Sequence, residues 1–347
     1  MKQSIDHLKS EIRFREKLAR QHVAGEVLID DYITKEDHDA LMWERVNTTF
    51  TAMQRLKDSG VGLTPFLEVG AERGQRSLVL TNDFNAKGFA VDLSFEQLKT
   101  LDYWKEFFKK PELPIRVCCN IYSLPFRENS FRFAFCYQFL HHFPALEPVF
   151  REIHRVLAHG YFFFDEEPYK RYSLNLYHRK ISNKPGKLRK IITYLESFIA
   201  HQYEVEEEHG IIENDEISLD QWLEALSIFS ERKVFLYSAA SLLRSEMGKA
   251  SALKIRLHRM LGGGIGALAK KEAGEKSAAK NEDLYDLLGC PECVPGKPGE
   301  GRDRAPLVRH PDYVKCEACE KEYPVIDNVI ILLPYREMKE LYPQFLK

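Results

Sequence analysis

The chain has 347 residues, of which 44% are hydrophobic and 29% are charged, and its formal net charge is −2. This length predicts one large core with a smaller second domain. The near-neutral charge excludes a globally basic nucleic-acid binder, and no apolar run reaches the roughly 18 residues of a membrane-spanning helix. The start of the chain has no apolar signal segment, so we expect a cytoplasmic protein. No motif specifies an oligomeric state.

Residues 1–59 are predicted to form a helical cap. Apolar residues recur at helical spacing, and Thr34 with Asp37 forms a capping-box pattern. We expect these helices to cover a sheet, with Trp43 as a candidate wall of an acceptor pocket.

A glycine-bearing turn follows in the segment PFLEVGAERG, which covers residues 65–74. An apolar strand runs into Glu68, and Gly70 and Gly74 allow close approach of a ligand and of the next helix. A second short strand ends in Asp92 about twenty residues later, where a carboxylate can accept both ribose hydroxyls. This pattern is typical of a nucleotide site and by itself suits NAD as well.

Further apolar segments repeat the alternation of strand and helix or turn. They are residues 115–119, 133–137, 161–165, 234–237 and 265–269. Such alternation predicts an α/β fold with a parallel, doubly wound sheet, here of seven strands.

Four blocks in this order resemble the seven-stranded S-adenosylmethionine-dependent methyltransferases, especially the branch that acts on small-molecule and lipid-like acceptors. The blocks are LEVGAERG, AVDLS, NIYSLPFRENSFRFAFCYQFLHHF and REIHRVLAHGYFFFDEEP. The resemblance covers about residues 60–272 and implies that S-adenosylmethionine is the cofactor. Glu68 would hold its amino group, and Asp92 its ribose hydroxyls. The other implied contacts are with the adenine (Leu93, Asn120, Ile121) and with the methionine portion (Tyr137).

The chain departs from the family pattern at Glu72, which replaces the middle glycine of the first block. Glu72 either points outward or adds an acceptor near the cofactor's ammonium group. A dinucleotide dehydrogenase is the alternative for the turn, but the later blocks favour methyl transfer.

Candidate catalytic residues follow the fourth and fifth strands, at the edge of the sheet where ligands bind. We select His142 and Glu167 from a set that also contains His141 and Glu166. Packing is the alternative role for the histidines, and Pro168 is expected to end the fifth strand. A general base is needed only for weakly acidic acceptors.

Residues 169–260 are predicted to form a lid over the acceptor. The basic stretch 179–190 suits an anionic acceptor, although a solvated helix face explains it as well. No RNA-binding motif is present, so nucleic acid is a less favoured acceptor.

Two CxxC pairs near the C-terminus predict a metal site with Cys290, Cys293, Cys316 and Cys319 as ligands. Four thiolates on two turns suit structural Zn²⁺, while disulfides, an iron centre and a redox pair are the alternatives. Residues 273–283 have a linker composition, and residues 284–347 resemble the zinc-ribbon proteins that activate tRNA and release-factor methyltransferases. That resemblance implies that the strand at 329–333 extends the methyltransferase sheet.

The sequence thus predicts a methyltransferase for a small or lipid-like acceptor, with a zinc ribbon that stabilises or activates it in cis. An RNA or protein methyltransferase that carries its own activator, and a non-catalytic binding module, are the alternatives.

Overall fold

The structure is a computed structural model that describes residues 4–24, 34–174, 176–180, 192, 195–203, 212, 214, 216–239, 241–272, 283–293 and 303–346. The predicted linker lies outside the described residues except for Asp283. Residues 181–190 of the basic stretch in the predicted lid also lie outside them.

The described residues form two N-terminal helices, a series of alternating strands and helices, and a strand-rich C-terminal part. The α-helices are α1 (Ile5–Ala24), α2 (Lys35–Asp58), α3 (Gln75–Asp83), α4 (Phe95–Lys99), α5 (Leu101–Phe107), α6 (Leu146–Val156), α7 (Leu219–Ala225), α8 (Ala252–Leu261) and α9 (Tyr335–Leu341). The strands are β1 (Phe66–Val69), β2 (Gly88–Asp92), β3 (Ile115–Cys118), β4 (Phe131–Tyr137), β5 (Leu157–Tyr169), β6 (Tyr177–Lys180), β7 (Ala200–Tyr203), β8 (Glu231–Ser238), β9 (Leu243–Glu246), β10 (Gly263–Lys271), β11 (Leu307–Arg309), β12 (Tyr313–Cys316), β13 (Glu322–Ile326) and β14 (Val329–Ile331).

The main sheet has twelve strands in the order β11-β12-β13-β14-β3-β2-β1-β4-β5-β10-β8-β9. Strands β3, β2, β1, β4 and β5 are parallel, and the strand order reverses between β1 and β4. All the predicted strands are present and adjacent. The predicted count of seven is not confirmed, because β9 extends one edge and four C-terminal strands extend the other.

Strand β5 continues past Pro168 to Tyr169, so the expectation that this proline ends the strand is wrong. The pairing of β5 with β4 stops at Asp165, whereas Pro168 and Tyr169 pair only with β10. Beyond Asp165 the strand therefore has an open edge, where proline is tolerated because no ladder donor is required there.

The C-terminal part joins the sheet through β14, which pairs in parallel with β3 as the resemblance implied. Val329 is opposite Arg116 and Ile331 is opposite Cys118, and Leu332 N donates to Cys118 O over 2.9 Å. Buried residues of both parts form one hydrophobic cluster. The ribbon is therefore a continuation of the main core.

The N-terminal helices pack mainly against other helices, α1 against α4 and α9 and α2 against α3. The predicted capping box of Thr34 and Asp37 begins α2. Trp43, the predicted pocket wall, is 43% exposed and packs edge-on against Phe108 at 4.8 Å. It does not line the central cavity. None of the helices in the described residues is long and apolar enough to cross a membrane.

Candidate functional site

A cavity of about 510 Å³ lies at the carboxyl ends of β1, β2 and β4, where the strand order reverses. This is the place where open α/β sheets bind ligands, and the volume falls in the range of small-molecule sites, about 300–1,000 Å³. Most of the predicted site residues line it, namely Gly70, Asp92, Leu93, Asn120, Ile121, Tyr137 and His142. Glu68, Gly74 and Glu167 are not among the lining residues.

The turn after β1 keeps its shape although Glu72 replaces a glycine. Glu72 adopts a left-handed φ of 51°, between Gly70 at 65° and Gly74 at 68°. A left-handed residue that is not glycine costs roughly 1–2 kcal/mol. The backbone N–H of Glu72 offsets part of this cost by donating to Asp92 Oδ2 over 2.8 Å. A Cβ on Gly70 would meet the ring of Phe139 at 2.0 Å, so this position requires glycine.

The Glu72 side chain lines the cavity and does not point outward. Its carboxylate lies 3.2 Å from Arg45 Nη1 and 3.6 Å from Arg73 Nη1. Burial by itself would raise the pKa of Glu72, but these guanidinium groups and that of Arg15 hold the pKa well below its usual range.

Glu68 is directed away from the cavity, towards the first turn of α3. Its Oε2 accepts from Ser77 N over 2.9 Å and from the Ser77 hydroxyl. Burial raises the pKa of Glu68 to about 7, against the hydrogen bonds from Ser77 that lower it. In this arrangement the carboxylate fixes α3 to β1.

Asp92 lies at the end of β2 and lines the cavity. Its Oδ1 accepts from Ser94 N and its Oδ2 from Glu72 N, both over 2.8 Å. Burial raises the pKa of Asp92, and these two backbone donors act in the opposite direction. The carboxylate is therefore fixed in one orientation, with lone pairs left for a ligand.

Asn120 lies at the end of β3 and begins the short 3₁₀-helix Ile121–Ser123. Its Oδ1 accepts from Tyr122 N over 3.0 Å, and its Nδ2 donates to Glu337 Oε2 on α9 over 3.0 Å. The side chain therefore connects the cavity to the C-terminal ribbon. The sequence did not reveal this contact, because 217 residues separate the two positions.

The predicted catalytic pair separates into two environments. Glu167 is fully buried, and its carboxylate accepts from the backbone N–H groups of Phe139, Leu140 and His141 over 2.7–3.2 Å and lies 2.8 Å from His141 Nδ1. These contacts favour a positioning role for Glu167 over the predicted catalytic one, because the carboxylate fixes the loop after β4 and does not face the cavity.

His142 does line the cavity, and its two ring nitrogens have different partners. Nδ1 lies 3.0 Å from Ile212 O, and Nε2 lies 3.3 Å from Arg15 Nη2. A carbonyl accepts and a guanidinium donates, so these partners assign the proton to Nδ1 and the lone pair to Nε2. Ile212 belongs to the predicted lid, which therefore reaches the site at this point.

Four arginines on the cavity wall were not identified from the sequence: Arg15, Arg45, Arg73 and Arg76. Arg73 stands in the glycine block and Arg76 two residues after it, so the letters ERGQR were the available sequence signal. The other two come from α1 and α2, and only the packing of these helices over the carboxyl edge of the sheet brings them there.

The four predicted metal ligands form a cluster in which all sulfur atoms lie within 4.8 Å of one another. Cys290 Sγ is 3.6 Å from Cys319 Sγ, and Cys293 Sγ is 3.7 Å from Cys316 Sγ. A tetrahedral Zn²⁺ with Zn–S bonds of about 2.3 Å needs sulfur atoms about 3.8 Å apart. The cluster therefore fits a structural zinc ion. All four cysteines are free thiols, so the disulfide alternative is not supported.

The class of this domain is defined by an open, mixed α/β sheet with a parallel central part and a ligand-sized cavity at its switch point. Within it, residues 67–164 match a family model described as a methyltransferase domain. The match runs from β1 to β5 and includes the loops that line the cavity. Over these residues the chain is similar to a methyltransferase domain.

Solved structures with similar folds include a candidate methyltransferase of Bacillus halodurans, at 14% identity and a TM-score of 0.40, covering 64% of this chain and 98% of that one. A second comes from the complex between the Haloferax volcanii methyltransferase activator Trm112 and a candidate methyltransferase, with 15% identity, a TM-score of 0.40 and coverage of 74% and 98%. A third is phosphoethanolamine N-methyltransferase 2 of Haemonchus contortus with S-adenosyl-L-methionine, with 14% identity, a TM-score of 0.44 and coverage of 75% and 60%. A comparison with curated proteins finds no match. At these identities and scores, we draw no conclusion about the acceptor.

Proposed function

We propose that the chain is an S-adenosylmethionine-dependent methyltransferase. The observation that carries the proposal is the coincidence of the matched methyltransferase domain with one cavity that gathers the predicted cofactor residues. When bound, the cofactor supplies an electrophilic methyl group on a sulfonium. The protein has to hold that group in line with the acceptor atom, so positioning is its main contribution.

The adenosine part of the ligand is assigned to the ends of β2 and β3. Asp92 receives the ribose hydroxyls, because its carboxylate is fixed by two backbone donors and keeps free lone pairs. Leu93 and Ile121 provide apolar contact for the adenine, beside Asn120. The absence of a side chain at Gly70 lets the Phe139 ring pack against the turn beside the proposed cofactor site.

A small or lipid-like acceptor is assigned to the side of the cavity that is lined by Gln138, Phe139, His142 and Pro168. His142 is the candidate base, since the partners of its ring leave the lone pair on Nε2. Arg15 must move away from His142 Nε2 before this nitrogen can accept a proton. Acceptors that are acidic enough need no base, and for them His142 only shapes the pocket.

The C-terminal ribbon is assigned a stabilising role in cis, with Zn²⁺ held by its four cysteines. The support is the parallel pairing of β14 with β3, which covers an otherwise exposed apolar strand edge. Two contacts extend from the ribbon to the proposed cofactor loops: Glu337 binds Asn120, and the Tyr342 hydroxyl binds Leu93 O.

The proposal is tested by titration calorimetry of the purified full chain with S-adenosylmethionine and, separately, NAD, together with a metal assay. We expect binding of the sulfonium cofactor only, and one zinc per chain. Asp92→Ala should weaken the binding more than tenfold, and Glu106→Ala, at a surface carboxylate outside the cavity, should not. Equal affinity of the Asp92 variant and the wild type would sink the assignment, and NAD binding would favour the dehydrogenase alternative.

A further inference from the structure

Several residues on the cavity wall carry a buried polar atom without a hydrogen-bond partner among the described residues, and two of these atoms belong to side chains that contact each other. These two atoms are the Tyr137 hydroxyl and Arg76 Nε, on side chains that are only 8% and 6% exposed. Both residues line the cavity. A buried polar group without a partner costs about 1–3 kcal/mol, so such a pair facing one cavity indicates a ligand that completes it.

The two side chains are held against each other. The Arg76 guanidinium carbon lies 4.1 Å from the centroid of the Tyr137 ring, which fixes the plane of the guanidinium group by a cation–π contact. Its nearest carboxylate oxygen belongs to Glu166, 3.9 Å away on a side chain that is 45% exposed. At that distance, with solvent access, the ion pair compensates the buried cation only weakly.

The other arginines of the cavity have closer partners. Arg45 and Arg73 share the carboxylate of Glu72, and Arg15 Nε donates to Glu11 over 2.8 Å. Arg76 is thus the cavity cation with the weakest internal compensation.

We propose that Arg76 and Tyr137 bind the carboxylate of the amino-acid portion of S-adenosylmethionine. The inference rests on the proposed function and adds the anion subsite to it. A carboxylate offers two coplanar acceptor oxygens, which a guanidinium N–H and a phenol O–H satisfy together. It is also the only anionic group of that cofactor, whose sulfonium and ammonium groups are cationic. The position agrees with this, because Tyr137 ends β4 and Arg76 is the second residue of α3, directly after the glycine turn.

The test compares two ligands that differ only in this group: S-adenosylmethionine and decarboxylated S-adenosylmethionine, which keeps the ammonium and sulfonium groups. Calorimetry on the wild-type chain should give an affinity about 10- to 100-fold higher for the carboxylated ligand, the usual contribution of hydrogen bonds to a charged group. In Arg76→Gln the ratio should fall to within about threefold. Tyr137→Phe removes one hydroxyl and leaves the ring in place, so its affinity ratio should lie between those of the wild type and Arg76→Gln. Arg76→Lys keeps the charge, so its ratio should also lie between these two values.

Arg45→Gln is the matched control, because it removes a cavity guanidinium that is already paired with Glu72. Its ligand ratio should equal that of the wild type. The inference is overturned when Arg76→Gln and Tyr137→Phe both keep the wild-type ratio, whether they leave the two affinities unchanged or weaken both equally. A wild-type chain that binds neither ligand refutes the proposed function itself, which is a different result.

Discussion

Tyr342 links the ribbon to the loop that presents Asp92. The substitution Tyr342→Phe tests that link, because it removes only the hydroxyl group. The hydroxyl donates to Leu93 O over 2.8 Å and accepts from Phe95 N over 3.1 Å, and the ring is almost completely buried. Cys118 Sγ also donates to Leu93 O over 3.2 Å, so that carbonyl keeps a partner in the variant. Phe95 N loses its acceptor.

The loss of one buried acceptor for a backbone N–H predicts a destabilisation of about 1–3 kcal/mol. The lost hydrogen bond belongs to residues 93–95, which directly follow Asp92. If this change also makes the free energy of S-adenosylmethionine binding less favourable by about 1.4 kcal/mol, the affinity falls about tenfold. We expect a lower urea midpoint together with weaker binding in calorimetry.

Tyr335→Phe provides the control, since its hydroxyl donates to Glu322 O within the ribbon and is exposed to solvent. It should change neither quantity by much. A Tyr342→Phe chain that is destabilised but binds the cofactor with wild-type affinity would refute the link between ribbon and cofactor loop. It would leave the ribbon a purely structural role.

Three further changes test other parts of the site. Replacing Cys290 and Cys316 by Ser should release the zinc and lower the melting temperature, so a zinc-free variant that melts normally would contradict the structural role. The raised pKa of Glu68 means that its contribution to stability falls as pH rises from its usual value towards about 7; Glu68→Gln should therefore gain stability relative to wild type at pH 8 compared with pH 5, in paired urea titrations. Glu167→Ala should destabilise the chain by about 3–5 kcal/mol because three backbone donors lose their acceptor, and an unchanged urea midpoint would contradict its positioning role.

The parts of the site that follow from local sequence were predictable. The turn around Gly70 and the acidic end of β2 depend on strand, turn and helix signals within about 25 residues, and the two CxxC pairs depend on spacing alone. Tyr137 was named only because the resemblance to the methyltransferase family implied its contact with the methionine portion. Local signals place a residue at the carboxyl edge of the sheet, where the cavity lies.

The direction of a side chain was not predictable in the same way. Glu68 and Glu167 both follow the expected pattern, yet each carboxylate turns to backbone donors and fixes a neighbouring segment. The choice between a ligand and an internal donor depends on which N–H groups the packed loops leave open, and this is set by tertiary contacts. Arg15 and Arg45 were missed because helices α1 and α2 reach the cavity only through packing.

The ribbon, α1 and the proposed cofactor loops are joined by a chain of contacts, so a change in the stability of the ribbon can reach the cavity. Lys9 on α1 pairs with Glu340 on α9 over 2.8 Å, and Gln97 on α4 donates to Arg15 O over 2.8 Å. Arg15 in turn contacts His142 across the cavity. Loss of the ribbon would therefore remove contacts of α1 and of the loops at Leu93 and Asn120, and the side of the cavity proposed for adenosine would lose these contacts together. A ribbon carried in the same chain keeps those contacts at a fixed, high effective concentration, which a separate activating subunit must achieve by binding.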